Sequence, residues 1–175
     1  ISLICFDELK SISEEFKILL PDNQKFSERL RNLFYLNEYV KQYSNIDKQG
    51  NFKSFIDLLW KKRILNNIIQ KDNLHLKRER CIINIAKQRC ETGRFYVNAD
   101  DLPQSALFEL KQDEILGYDE AHNGYFITQD IYEEWTLDKI VSRNFLNHSN
   151  TKYLTDFFTL SKSLVKGRGR QTAAS

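Results

Sequence analysis

The chain has 175 residues, 41% hydrophobic and 29% charged, and its 26 basic and 24 acidic residues leave a net charge of +2. That balance argues against a disordered chain and gives no electrostatic reason to expect nucleic acid or an anionic membrane as partner. Six glycines and two prolines are few, which favours long helices over a many-turned sandwich. No apolar run approaches the roughly 18 residues of a membrane span, and no basic segment leads into an apolar one as in a signal peptide.

The opening stretch ISLICF lacks Met and begins directly in alternating apolar residues. It reads as the end strand, residues 1–5, of a domain that lies upstream. Asp7 is placed to cap a helix running to about Leu20, with Leu9, Ile12, Phe16 and Leu19 on one face. Pro21-Asp22 stops it. A second helix carries Phe26, Leu30, Leu33 and Val40 as one stripe, and the polar run from Asn45 to Asn51 reads as a loop. A third helix starts at Phe52, carries Phe55, Ile56, Leu59 and Trp60, and continues to about Ile69. Lys71–Asn73 is the connector and the expected domain boundary.

From Leu74 to Glu91 the pattern is helical, with Cys81, Ile82, Ile85 and Ala86 inward and Gly93 as the stop. RFYV, residues 94–97, reads as a short strand. A helix is expected to start at Asn98, with early acids and Pro103 in its first turn and Ala106, Leu107 and Leu110 as its apolar face. Next come two aromatic-rich runs around Asn123-Gly124, which predicts a hairpin with a type I′ turn. A helix follows from Asp130, anchored by Tyr132, Trp135, Val141 and Phe145. A polar break lies near Asn147–Thr151, a further helix near 150–166, and a basic glycine-containing tail ends the chain. The fold class is therefore mainly α, a helical bundle followed by a winged-helix domain with one β-hairpin. The expected divisions are 6–73, 74–147 and 148–175.

Catalytic motifs are missing. There is no G-x-x-x-x-G-K-S/T phosphate loop, no G-x-S-x-G and no H-E-x-x-H. His75, His122 and His148 are far apart and read as exposed loop residues. Cys5, Cys81 and Cys90 form no C-x-x-C pair, so no metal site is expected, and they read as reduced, mostly buried thiols of a cytoplasmic protein. Glu133-Glu134 are adjacent on a helix, diverge by about 100°, and read as a solvated first turn complementing the helix dipole. A winged helix reads DNA through a helix and its wing. Here that helix, taken as Asp100–Glu114, carries five acids against Lys111 alone, and the wing adds Asp119 and Glu120. Such a face repels phosphates. The basic clusters KKR at 61–63 and LKRER at 76–80 read as solvated faces.

Three stretches carry a resemblance: ISLICFDELKSISEEF, RLRNLFYLNEYVK and YFITQDIYEEWTLDKIV, with LLWKKRI around Trp60 as a fourth point. Over about residues 1–146 the order resembles the lid and winged-helix portion of the STAND NTPases, signal-transduction ATPases related to AAA+ proteins and including the NACHT type. The resemblance implies a regulatory piece that is not itself an enzyme and binds no cofactor alone. ATP or ADP with magnesium would belong to the full-length protein. The implied partners are the upstream nucleotide-binding domain of the same chain and, on activation, further copies of it; neither a membrane nor DNA is implied. Leu33 stands where the lid proline is common, which in relatives approaches the nucleotide base. Gln129 stands where relatives carry a histidine that contacts the bound diphosphate; Gln donates a hydrogen bond but cannot carry a positive charge. Asp130 matches the family, and could equally serve as a helix cap. Two alternatives remain open: a winged-helix DNA-binding regulator, and a helical protein-interaction module with no nucleotide link.

Overall fold

A computed structural model describes residues 3–47, 49–66 and 71–147, apart from the side chains of 71 and 144–147. The described residues are mainly helical, with one antiparallel hairpin among them, and the chain falls into two units, Ile1–Lys62 and Arg63–Ser175.

The first unit is built from α1 (Phe6–Glu15), α2 (Gln24–Arg29), α3 (Leu33–Gln42), a 3₁₀ turn at Tyr43–Asn45 and α4 (Phe52–Leu59). Cys5, not Asp7, caps α1. Its sulfur accepts the Glu8 amide at 3.4 Å while the Glu8 carboxylate accepts the Cys5 amide at 2.7 Å. This reciprocal exchange satisfies two helix-end donors at once and leaves Asp7 in the first turn. The helix ends at Glu15 because Lys17 takes a left-handed conformation at φ 53°. The expected stripe therefore breaks: Leu9 is buried, but Phe16 and Leu19 are exposed. The second predicted helix is likewise two. Asn32 interrupts it, its side chain accepting the Phe34 amide at 2.9 Å to start α3 afresh. Leu3 pairs with Asn32 as an isolated antiparallel bridge, reinforced by the Arg31 guanidinium on the Ile4 carbonyl at 2.7 Å.

Phe26 is the hub of this unit, 1% exposed, with the rings of Tyr39, Phe52 and Phe55 at 5.7, 5.6 and 5.2 Å. Burying such a ring contributes about 1.5–3 kcal/mol, and each edge or tilted pairing adds about 0.5–1.5 kcal/mol. The Tyr39 hydroxyl donates to the Leu19 carbonyl at 2.8 Å, and burial pushes its pKa up to about 12.

After α4 the helix does not run on as α. Trp60–Leu65 is a π-helix, and Asn66 turns left-handed at φ 46°. The continuation predicted to Ile69 runs past the described residues at its end. The division between the units falls ahead of the connector expected at 71–73. The carbonyls of Arg63 and Ile64 bond to Arg78, which ties them to the second unit.

The second unit holds α5 (Leu74–Thr92), α6 (Gln104–Gln112), β1 (Leu116–Asp119), β2 (Gly124–Ile127) and α7 (Asp130–Asn147). α5 buries Cys81, Ile82, Ile85 and Ala86 and stops at Gly93, whose φ of 66° is open to glycine without a Cβ penalty. The expected RFYV strand reduces to one residue: Val97 bridges Tyr125 through two backbone hydrogen bonds of 2.9 and 2.8 Å. α6 starts at Gln104 rather than at Asn98. Pro103 pushes the residue before it out of helical geometry, and Asn98 instead closes a turn on the Asp100 amide at 2.9 Å.

The hairpin is where the sequence places it, but the turn differs. Asp119 pairs with Gly124, so Glu120–Asn123 forms a four-residue loop. Asn123 alone takes positive φ, at 44°, and Gly124 belongs to the strand. The Asp119 carboxylate accepts the His122 amide at 2.9 Å and shapes this longer loop, which a two-residue type I′ turn has no room for. α5 packs on α6, α7 and β2, and β1 packs on α6, which is a winged-helix-like arrangement. The Phe145 side chain, the polar break beyond Asn147, His148, the helix expected near 150–166 and the basic tail lie outside what the structure describes.

Candidate functional site

The strand-to-helix junction at the end of the hairpin presents a fixed polar edge. Ile127, 4% exposed, ends β2 opposite Leu116. The next residue, Thr128, is bolted to the other end of the hairpin. Its amide donates to the Ile115 carbonyl at 3.1 Å, and its hydroxyl donates to the Glu114 and Ile115 carbonyls. Beyond the junction, Ile131, Tyr132, Trp135 and Thr136 are buried on α7, with the Tyr132 amide on the Gln129 carbonyl at 3.0 Å. Gln129 and Asp130 sit between these two anchors with exposed side chains. The backbone is held from both sides while the amide and the carboxylate face solvent. Asp130 is the first helical residue, and its charge complements the helix N-terminus. Leu33, the third candidate, is the first residue of α3 in the first unit and is 55% exposed.

The wing itself is aromatic on both faces. Tyr118 and Tyr125 meet at 4.9 Å on one. On the other, Phe126 lies across Gly117, so a methyl at 117 would collide with the outer edge of its ring. Phe95 stacks on Phe126 at 5.4 Å, and Tyr96 stacks on His122 at 4.3 Å with planes only 10° apart. The His122 Nδ1 lies 2.8 Å from the Asp119 carboxylate, whose pKa is lowered chiefly by that contact. Lys111 reaches over the Tyr118 ring at 5.7 Å. These groups shape a surface; they bring no nucleophile to a base.

α5 also contributes buried charges. The cluster LKRER is not wholly a solvated face. Arg78 is 1% exposed and bonds to Asp113 at 2.6 Å. Arg89 is 6% exposed, lies under the Phe95 ring at 4.7 Å and meets Glu133 at 3.5 Å. Glu133 is thus a partner of a buried guanidinium, not a plain solvated acid of the first helical turn. Arg78 and Arg89 fall on the same helical stripe as Cys81, Ile82, Ile85 and Ala86, and that periodicity was the available signal for both. Two nitrogens of Arg89 and one of Arg78 are buried without a hydrogen-bond partner.

Of the thiols, only Cys81 is buried; Cys5 is exposed and Cys90 is half-buried. Burial pushes the Cys81 thiol up to about 11, so it stays protonated and unreactive at neutral pH. His75 lies on α5, not in a loop. Among the described residues no three His, Cys, Asp or Glu side chains are grouped to hold a metal. A cleft of about 150 Å³ in the first unit has Phe26, Phe55 and Leu58 on its walls. Its polar rim is spent on its own loop: Asn51 takes the Ser54 amide and hydroxyl, and Asp47 takes the Gln49 amide. No helix among the described residues is long and apolar enough to cross a membrane.

No family model matches the chain, and no match is found among the curated proteins.

Proposed function

We propose that the chain is the regulatory lid and winged-helix part of a STAND-type signal-transduction ATPase, and that it works as a nucleotide-dependent conformational switch in the cytoplasm. One observation carries this reading most of the way. The Gln129-Asp130 pair is exposed on a backbone anchored by Thr128 before it and by Ile131 and Tyr132 after it. Such an edge presents a hydrogen-bond donor and a carboxylate with little reorganisation, as a docking contact to a nucleotide-bearing domain requires. Leu33, exposed at the start of α3, is the lid's candidate contact. The switch would be a change between two packings, biased by whether ADP or ATP with magnesium is bound by the upstream domain. Further copies of the chain would assemble once it opens. The piece itself supplies no catalytic group in this reading.

The stretch 109–114 speaks against the DNA-binding alternative, since Glu109 and Glu114 outnumber Lys111 there and Asp113 is already paired with Arg78. Two experiments test the proposal. The reading frame upstream of Ile1 is expected to encode a G-x-x-x-x-G-K-S/T loop, and a frame without one overturns the reading. In the full chain, Asp130→Ala is expected to loosen retained ADP and promote self-association. An unchanged nucleotide content in both Asp130→Ala and Gln129→Ala would remove this edge from the switch. Salt-sensitive, submicromolar binding of random duplex DNA would favour the DNA regulator instead.

A further inference from the structure

Arg78 is the largest fully buried side chain of the described residues. Its Nε donates to the Ile64 carbonyl at 2.7 Å, and its Nη2 donates to the Arg63 carbonyl at 2.9 Å and to the Asp113 carboxylate at 2.6 Å. Both carbonyls lie in the last turn of the Trp60–Leu65 π-helix. The last carbonyls of a helix find no amide within it and carry the negative end of its dipole. Arg78 therefore caps that helix from outside, with a side chain of α5. Asp113 does the opposite job poorly on its own: it is the C-cap residue of α6, where a carboxylate opposes the helix dipole. The Asn66 side-chain Nδ2 also donates to it, at 3.4 Å. One guanidinium thus serves two helix ends, and the residues that follow them, Asn66 after the π-helix and Glu114 after Asp113, are left-handed.

The two partners differ in exposure, 2% for the Arg78 side chain against 36% for Asp113. Water can compete for the carboxylate but not for the guanidinium. Should Asp113 let go, Arg78 would be a buried charge facing two carbonyl dipoles alone, a costly state. It is relieved when the side chain swings toward water, and that movement takes both carbonyl bonds with it. A π-helix is a rare hydrogen-bonding pattern that persists where its surroundings hold it.

We propose that Arg78 and Asp113 form a latch. Closed, it holds residues 60–66 in the π-helical register; released at Asp113, it frees the Arg63 and Ile64 carbonyls and lets that segment change register. Because Asp113 lies just before β1, displacement of the hairpin base and release of segment 63–66 are one event. The groups that bond in the latch, Arg63, Ile64, Arg78 and Asp113, all lie in the second unit, and the latch does not depend on the ATPase reading.

Hydrogen exchange on the whole chain tests this. In Asp113→Asn, peptides covering 60–66 are expected to exchange about tenfold faster, the factor that loss of a charge-assisted hydrogen bond implies. Peptides covering 81–86 of α5 keep their rate. Arg78→Met reproduces the effect, and Asp113→Glu restores protection. Unchanged exchange at 60–66 in Asp113→Asn overturns the latch, whatever Arg78→Met does. Equal acceleration at 60–66 and 81–86 also overturns it, because the pair then only contributes to the stability of the unit as a whole.

Discussion

In the first unit the core is built around rings: Phe26, Tyr35, Tyr39 and Phe55 are buried and meet one another or Phe52 edge-on, while Phe6 and Phe16 stay exposed. Among the described residues of the second unit only Tyr132 and Trp135 are buried rings, while Phe95, Tyr96, Tyr118, Tyr125 and Phe126 stand half-buried or exposed along the hairpin. Its interior is aliphatic instead, with Ile82, Ile85, Leu107 and Leu110, and takes in two guanidinium groups. The contrast separates two ways of holding a small domain. Ring packing has preferred geometries but leaves no charge stranded when a neighbour is lost. Buried arginines are directional: each needs its carboxylate or carbonyl in place, and a missing partner leaves a charge stranded in low dielectric. The first unit should therefore fail by cavity formation and the second by loss of a partner. The chain's two tryptophans, Trp60 and Trp135, fall one in each unit, so variants retaining a single tryptophan report on each separately.

The largest effect is expected in the aromatic core. Phe26→Ala removes the ring that three others contact and should cost about 3–5 kcal/mol, read as a fall in the denaturant midpoint of Trp60 emission. If Trp135 emission shifts equally, the two interiors do not fail separately. Next is Arg89→Ala, which leaves Glu133 without its buried partner and should destabilise the second unit by about 2 kcal/mol. The paired replacement Arg89→Met with Glu133→Leu should recover most of that loss, since a matched apolar pair avoids desolvating a charge. A double variant as unstable as Arg89→Ala would mean that the guanidinium holds the fold through the Phe95 ring, not through the ion pair. Smaller again is Gly117→Ala, whose methyl must displace the Phe126 ring; about 1–2 kcal/mol is expected from overpacking, visible as a lowered melting temperature with Trp135 as reporter.

The weakest distinction is in alkaline titration. Burial raises the Tyr39 hydroxyl from 10.0 to about 12 and the Cys81 thiol from 9.0 to about 11. Below the lower value both states hold the proton and stability is complete. As pH rises, the unfolded chain releases its proton first, so stability falls between about pH 9 and 11 for the second unit and between about 10 and 12 for the first. Tyr39→Phe should flatten the upper part of the pH–stability curve seen by Trp60, and Cys81→Ala the lower part seen by Trp135. Unaltered curves would show that neither proton is linked to folding.

What the order of residues determined alone is local. The inward stripe of α5, its stop at Gly93, the position of the hairpin and the start of α7 all depend on neighbours within one or two turns, and all could be read from spacing. The Gln129-Asp130 edge was legible for the same reason: a strand pattern meets a helix pattern there. The break at Asn32, the π-helix after Leu59 and the one-residue strand at Val97 were decided by tertiary structure, because each depends on a competing hydrogen bond or a partner strand elsewhere. So was the fate of Arg78 and Arg89. Their spacing put them on the buried stripe, but a buried charge is tolerable only where a distant carboxylate arrives to meet it, and the chain brings Asp113 and Glu133 to those places only once it is folded.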